Sequence, residues 1–445
     1  LIVTPGFIDP HTHARATLVD PETRANLNYL TQGVTTVFIG NDGYGLARMG
    51  ERLELFDRDG VGTNVAVLSG HGLIRTGAMG LSDRQATSEE LDAMRSALRE
   101  EMELGSFGLS SGLFYRPGSY AETSEVIELA RVAAEFGGIY DTHMRSESSA
   151  GDGLLAALDE AIEIGRQSGI PVHIAHIKAL GRDRWGLSGE MIARIEAARE
   201  EGLEVTADQY PWNASGTRFS NALLPRWVQA DSAEAMEQRL RDPEMLPRIL
   251  EEMRTNLDLR GGPEAMLVTA AASPYRGMTL AEIAAAAGGE EAVIAAIEPI
   301  LEGDPSIASF VIDQADIDRF AVQPWVMTGS DGSGGHPRLY GTYPKAWVDF
   351  VGRGLLTPAE FVRRSTGFVA ESFRICERGF LREGYFADIT LFDAEGFRPN
   401  ADYENPTELS DGVRYLLVNG AIVIDDNNYN GSLPGRALRL TDCND

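Results

Sequence analysis

Gly6-Phe7-Ile8-Asp9-Pro10-His11-Thr12-His13, near the start of the 445-residue chain, decides how the rest is read. Gly6 to Asp9 is a short β-rich run. The two histidines that follow are spaced two apart, so on an extended backbone both imidazoles face one side and can grip one cation at about 2.0–2.1 Å. Seven more runs of this kind follow: Thr35–Ile39, Asn64–Leu68, Phe107–Leu109, Gly138–Thr142, Pro171–Ile174, Glu204–Ala207 and Trp325–Thr328. Helical patterns lie between them in Glu89–Glu103, Ser124–Phe136, Leu154–Ser168 and Gly189–Gly202, with apolar residues at helical spacing and glycine near the C-cap. Strands that alternate with helices are joined by crossovers and run parallel, and eight of them close a barrel. The expected fold class is α/β, a (β/α)8 TIM barrel.

The interval between the seventh and eighth runs, about 220–319, is longer than a crossover needs. It carries several helical stretches, including the alanine-rich Leu280–Ala296, and is expected to be a helical insertion acting as a lid over the barrel mouth. After Cys376 the texture changes to Gly379-Phe380-Leu381, Asp388–Phe392, Tyr415–Val418 and Ala421–Ile424, punctuated by glycine and asparagine. The expected domains are therefore a barrel over 1–376 and a small β-sandwich-type domain over 377–445. With no internal repeat, low-complexity tract or Gly/Ser linker between them, the two should pack as one body. Leu1-Ile2-Val3 reads as the middle of a strand rather than as a signal peptide, so residues upstream of it are expected.

Composition narrows the function classes. The hydrophobic share of 43% and charged share of 24% suit a soluble globular protein, and no apolar run approaches the roughly 18 residues of a membrane span. A net charge of -28 repels phosphate backbones, which argues against nucleic acid as a partner. Cys376 and Cys443 can form at most one bridge, so no disulfide framework holds the fold and a cytoplasmic location is the default. Self-association into a homo-oligomer is left open.

In a barrel of this type the site forms where strands end. His11 and His13 follow the first run, His71 the third and His143 the fifth; His173 and His176 ride on the sixth, and His336 follows the eighth in a loop. Taken singly, each reads as an imidazole satisfied by hydrogen bonds in the core or at the surface. Six in register at strand ends do not. Asp331, in Met327-Thr328-Gly329-Ser330-Asp331-Gly332, ends the eighth run, where a carboxylate can touch a metal and take a proton from its bound water; the rival reading is a turn aspartate before glycine. Asp42, in Gly40-Asn41-Asp42-Gly43 after the second run, is either a ligand or turn chemistry. The chain holds only two lysines, Lys178 and Lys345, and the first stands two positions after His176. Unless it is a snorkelling surface residue, its ammonium can bind a substrate carboxylate or a metal-bound oxygen. With no lysine around the fourth run, a carbamylated lysine bridging two metals from that strand is excluded.

Further motifs complete the set: Gln32-Gly33-Val34-Thr35-Thr36-Val37, Gly70-His71-Gly72, Gly108-Leu109-Ser110-Ser111-Gly112-Leu113, Thr142-His143-Met144-Arg145, His176-Ile177-Lys178, Asp208-Gln209-Tyr210-Pro211, His336-Pro337-Arg338-Leu339-Tyr340-Gly341 and Arg382-Glu383-Gly384-Tyr385-Phe386-Ala387-Asp388. Together with Pro5 to His13 and Ser330-Asp331-Gly332, they resemble the amidohydrolase superfamily, and within it the N-acyl-D-amino acid deacylase (D-aminoacylase) family, over nearly the whole chain. The resemblance implies that His143 and His176 hold a tightly bound zinc, that His11 and His13 form a weaker or shared site, and that Asp331 is the acid/base. In the best-known members the third tight ligand is a cysteine after strand two; here that position is Asp42, an oxygen ligand that also suits Mn2+ or a second Zn2+. Ser146 stands where many relatives carry an acidic residue, with Glu147 the nearest carboxylate. Such relatives begin with about sixty further residues that contribute strands to the small β domain, which leaves the C-terminal strands half of a sandwich.

The implied reaction is hydrolysis of an N-acyl amino acid with a free carboxylate, using one or two zinc ions. Lys178, Tyr210 and Arg338 would hold that carboxylate and Tyr115 would line the acyl side; His71 and Arg145, inside their motifs at the mouth, join the candidate substrate-binding residues. A dipeptidase, lactonase or cyclic-amide hydrolase is the alternative, because the superfamily uses one site for many bonds. A metal-free binding scaffold is a remote third reading, since such a protein should have lost its ligands.

Overall fold

In the computed structural model, which describes residues 1–443, every one of the eight runs forms a strand. They are β1 Phe7–Asp9, β2 Val34–Ile39, β3 Asn64–Val67, β4 Gly108–Gly112, β5 Ile139–His143, β6 Val172–Ile174, β7 Val205–Gln209 and β8 Val326–Thr328. Those from β2 to β6 are buried along their whole length, which is what apolar runs covered on both faces require.

All of these strands pair in parallel and in chain order. β1, β2 and β3 form one sheet, and β4 to β8 with the short Ser69–Gly70 form another. Ser69–Gly70 carries the third run past Leu68, so its first half bonds to β2 and its second half to β4. On the other flank, β8 meets β1 just beyond their ends. Asp331 N donates to His11 O at 3.0 Å and His13 N to Gly332 O at 3.2 Å. The Tyr343 hydroxyl lies 3.0 Å from Ile8 O and 3.1 Å from Thr328 O, tying the same seam from below the site.

The expected helices form within a residue or two. Ser88–Glu103 starts from a capping box in which Thr87 and Glu90 satisfy each other's backbone N–H groups, and Leu154–Ser168 ends at Gly169 in the left-handed region. The segment between β7 and β8 is not purely helical. Ser215–Arg218, Met266–Val268 and Ser306–Ser309 form a three-stranded antiparallel sheet amid the helices Ala233–Arg241 and Leu246–Leu259. The alanine-rich stretch is split into Leu280–Ala286 and Ala292–Ala295, because Gly288 and Gly289 adopt φ of +93° and +83° and stop the first helix. This segment has a core of its own around Phe219, Ile249, Met253 and Ile307.

The C-terminal strands Ile389–Phe392, Val413–Val418, Ala421–Asp425 and Asn428–Tyr429 form an antiparallel sheet whose first strand is Ile2–Pro5 from the other end of the chain. Gly379-Phe380-Leu381 is a turn, not a strand: Gly379 has φ +78° and Phe380 packs its ring on Gly367. The side chain of Cys443, half of the single bridge the composition allows, lies outside the described residues. Among the described residues no helix is long and apolar enough to cross a membrane.

Candidate metal centre

Six of the expected residues converge beyond the strand ends. The ligand atoms of His11, His13, Asp42 and Asp331 all lie within 4.8 Å of one another, as do those of Asp42, His143 and His176. Asp42 therefore belongs to both groups. Its Oδ1 is 3.5 Å from His11 Nε2, 3.5 Å from His176 Nε2 and 3.9 Å from His143 Nδ1, while Oδ2 is 3.5 Å from His13 Nε2.

Local backbone explains how these side chains reach one point. His11 and His13 flank Thr12, which continues the β1 ladder by pairing with Gly332, so the expected same-side alternation holds. His143 is the last residue of β5. Asp42, His176 and Asp331 sit in turns after their strands with φ of +57°, +36° and +46°, a conformation uncommon for residues other than glycine and concentrated at functional sites. The Asp42 turn is wedged between backbones that only glycines allow so close. A Cβ at Gly112 would lie 2.2 Å from Asp42 O, and one at Gly70 would lie 2.5 Å from Gly43 O. Gly112→Ala must therefore push the turn by about 1 Å, and a shift of that size at a site costs on the order of 10²-fold in rate. We expect metal content and activity to fall together in this variant; full retention of both would show that the glycine does not hold Asp42 in place.

The centre leaves buried ligand atoms unsatisfied. Both ring nitrogens of His11 and Oδ1 of Asp42 are buried without a hydrogen-bond partner, and buried polar atoms left so call for an absent group such as an ion. The nitrogen and carboxylate donors suit zinc and related divalent metals. Burial pushes the Asp42 carboxyl up, but the charges of His11 and His176 more than offset it and hold it well below the usual range. Burial likewise opposes ionisation of Asp331, and Arg338, with Nη1 2.7 Å from Oδ2, then His176, reverse the effect and keep it low. Burial drives the His143 imidazole down to about 3, so it stays neutral and able to ligate.

Glu147 stands behind the His143–His176 pair. Its Oε1 is 3.1 Å from His176 Nδ1, and its Oε2 is 3.8 Å from His143 Nε2. For His176 Nε2 to offer a lone pair, Nδ1 must carry and donate the proton, and Glu147 is the acceptor within reach. Lys178 Nζ is 2.5 Å from Glu147 Oε1 and 2.8 Å from His176 Nδ1. It does not get there by strand alternation, because β6 ends at Ile174 and His176 lies in a turn. Behind His11, Asp208 Oδ2 lies 3.8 Å from Nδ1 and accepts from His173 Nε2 at 3.0 Å.

The remaining expected residues divide into two groups. The Tyr210 ring lies between Lys178 Nζ, 5.7 Å from its centroid, and the Arg338 guanidinium at 4.8 Å. The Tyr210 hydroxyl and Arg338 Nε are buried without hydrogen-bond partners, two unspent donors beside the metal ligands. Tyr115 packs on His143 with ring centroids 4.7 Å apart and the planes tilted by 53°, and it shares with Lys178, Tyr210 and Asp331 the lining of a small cavity of about 30 Å³. His71 and Arg145 are engaged elsewhere. His71 Nε2 is 2.8 Å from Glu125, which also takes Arg75, and Arg145 makes a two-pronged pair with Glu160 while donating to Ser119 O and Ala121 O. His336 accepts from Arg338 N and contacts Ala214 O, which anchors the start of the Arg338 helix. Sequence reasoning noted Glu147 as the nearest carboxylate to Ser146 and Asp208 inside its motif, but gave neither a role as a partner of the ligands.

The chain matches the amidohydrolase family over residues 1–424. D-aminoacylase of Alcaligenes xylosoxydans xylosoxydans is 33% identical, over 99% of this chain and 88% of its own length. A solved structure of D-aminoacylase, studied for one-metal activation and second-metal attenuation at its binuclear metal centre, superposes with a TM-score of 0.82 at 31% identity, covering 98% of this chain and 89% of that one. The N-acyl-D-glutamate deacylase of Bordetella bronchiseptica, complexed with zinc and a phosphonate that mimics the tetrahedral intermediate, superposes with a TM-score of 0.83 at 30% identity over the same shares.

Proposed function

This chain belongs to the amidohydrolase family, and we propose that it is a metal-dependent hydrolase that cleaves the amide bond of N-acyl-D-amino acids to a carboxylic acid and a free amino acid. The observation that carries this reading is the convergence of His11, His13, Asp42, His143, His176 and Asp331 around buried, unpartnered donor atoms. In this reading the eight strands work as a (β/α)8 barrel over residues 1–376, the segment about 220–319 is an insertion covering its mouth, and the chain from 377 onward makes a small β domain with Ile2–Pro5.

Asp42, His143 and His176 would hold one zinc ion, and His11, His13, Asp42 and Asp331 a second; the carboxylate at Asp42 also suits Mn2+. When bound, the metal lowers the pKa of water toward about 7 and polarises the acyl oxygen. Asp331 can take the proton of the attacking water on Oδ1, which stands 3.1 Å from His13 Nε2, and deliver it to the departing amine nitrogen. Arg338 holds Oδ2 meanwhile, which fixes the carboxylate's orientation. The unspent Arg338 Nε and Tyr210 hydroxyl, with Lys178 beside them, receive the free carboxylate of the substrate, and Tyr115 borders the acyl group. Arg145 and His71 act at a remove, through Glu160 and Glu125.

A charge-assisted contact of this kind contributes roughly 1.5–3 kcal/mol, or about ten- to a hundredfold in binding. N-acetyl-D-amino acids should therefore exceed their methyl esters in kcat/KM by that factor. In Arg338→Ala the preference for acid over ester should vanish. Equal rates for acid and ester in the wild-type enzyme would overturn the carboxylate reading and point to a neutral amide or a lactone.

A further inference from the structure

Asp331 and Arg338 are joined by Gly332-Ser333-Gly334-Gly335-His336-Pro337, three glycines in six residues, with Gly335 at φ +88°. Glycine loses more conformational freedom on folding than any other residue, so this loop has little stiffness of its own. Yet it carries the root of Arg338, whose guanidinium has little room to shift. That group lies over the Tyr210 ring at 4.8 Å and so near Gly216 that a Cβ there would be 3.0 Å from Nη2. Misplacing a positioned group by about 1 Å can cost on the order of 10²-fold in rate.

His336 anchors the loop. Arg338 N donates to its Nδ1 at 3.1 Å, which leaves the ring proton on Nε2, and that nitrogen donates to Ala214 O, also at 3.1 Å. Burial followed by the charge of Arg338 holds the imidazole well below its ordinary range, so it stays neutral in this form. Two aromatic rings close on it at steep angles: Trp212, 5.9 Å away and at 86°, and Tyr403, 5.2 Å away and at 79°. Edge-to-face pairs of this kind are attractive and directional.

Trp212 belongs to the turn after β7, but Tyr403 comes from the C-terminal part of the chain, in the loop between the strands Ile389–Phe392 and Val413–Val418. That loop is tied down on three sides. Asp402 Oδ1 accepts from the N–H groups of Glu404 and Asn405 at 2.9 and 2.7 Å, and Ser410 Oγ donates to Tyr340 O at 2.6 Å. Arg276, from the segment between β7 and β8, donates to Glu404 O at 3.3 Å, and Phe310 of the same segment packs on Tyr403 at 4.8 Å. The Tyr403 hydroxyl is buried with no hydrogen-bond partner among the described residues, so the ring makes the contacts that matter here.

We propose that Tyr403 is a positioning residue: by packing on His336 it holds the loop 332–337 and so sets where Arg338 meets the carboxylate of the substrate. The C-terminal part of the chain then takes part in substrate selection without touching the substrate. The effect on catalysis rests on the N-acyl amino acid reading above, whereas the hold on the loop does not.

Hydrogen exchange followed by mass spectrometry on the full chain reads the loop directly. Tyr403→Ala should speed exchange over residues 332–340 several-fold while the barrel strands keep their protection, and Tyr403→Phe should match the wild type. Kinetics give the second readout. The kcat/KM ratio of an N-acetyl-D-amino acid to its methyl ester, about ten- to a hundredfold in the wild type, should fall toward one in Tyr403→Ala, mainly through the KM of the acid, and be kept in Tyr403→Phe. A merely structural role would lower acid and ester together and leave the ratio in place. Should melting curves show that the alanine variant does not fold, Tyr403→Leu takes its place in both measurements. Unchanged exchange in that variant, a ratio kept there, or a phenylalanine variant as impaired as the alanine one would overturn the proposal. If the wild type hydrolysed acid and ester equally, or neither, the carboxylate reading would fall on its own, and exchange would decide whether Tyr403 holds the loop.

Discussion

Asp331→Asn is expected to lower kcat/KM for N-acyl-D-amino acids by roughly 10²- to 10⁴-fold, the range that a positioned general acid/base contributes. The asparagine keeps the size of the side chain and tolerates the left-handed backbone at this position, where φ is +46°. What it cannot do is accept a proton and pass it on. It also brings an NH2 group to a place where the carboxylate now faces His13 through Oδ1 and forms an ion pair with Arg338 through Oδ2. Metal analysis alongside the kinetics separates the two consequences. Loss of rate with the Asp42–His143–His176 ion retained assigns the proton transfer to Asp331. A variant that keeps more than about a tenth of the wild-type rate would exclude it as the acid/base.

Asp42→Ala should be nearly as severe, by a different route. Asp42 is the one side chain common to both ligand groups, so its removal takes an anionic ligand from each and leaves four histidines and Asp331 to hold whatever metal stays. Loss of partners one step further out typically costs 10- to 100-fold in metal affinity, and loss of a shared ligand should cost at least about that much. Metal content measured after dialysis should fall well below that of the wild type, and activity with it. Asp42→Asn is the companion variant, because asparagine keeps the turn and removes only the charge. Asp42→Cys should restore zinc and discriminate against Mn2+, since a thiolate prefers the softer ion. An Asp42→Ala enzyme with full metal and full rate would make the residue a turn former in Asn41-Asp42-Gly43 and nothing more.

Much of the fold could be read from local pattern. Strands such as Val34–Ile39 and helices such as Leu154–Ser168 appear where their apolar spacing, caps and glycines put them, because those signals act over a few residues and carry over into the folded chain. The three short strands between β7 and β8 were not legible. Ser215–Arg218 pairs with Ser306–Ser309 across nearly ninety residues, and strands so short and so far apart in sequence carry little pattern of their own. Gly379-Phe380-Leu381 has strand-like residues, but a glycine at φ +78° and a ring seated on Gly367 make it a turn.

The site divides along the same line. The sequence by itself determined which side chains gather at the strand ends: His11 and His13 by their alternate spacing, His143 as the end of β5, Asp331 as the residue just past β8. Only the tertiary structure decided what each of them faces. Asp42 reaches both ligand groups because the glycine backbones at Gly70 and Gly112 let its turn press inward, and Lys178 meets Glu147 because the chain turns at His176 with a positive φ. Arg145 and His71 are claimed by Glu160 and Glu125. Such pairings depend on which carboxylate the packing brings within about 4 Å, a distance set by helices and loops far apart in the sequence, and no local pattern encodes it.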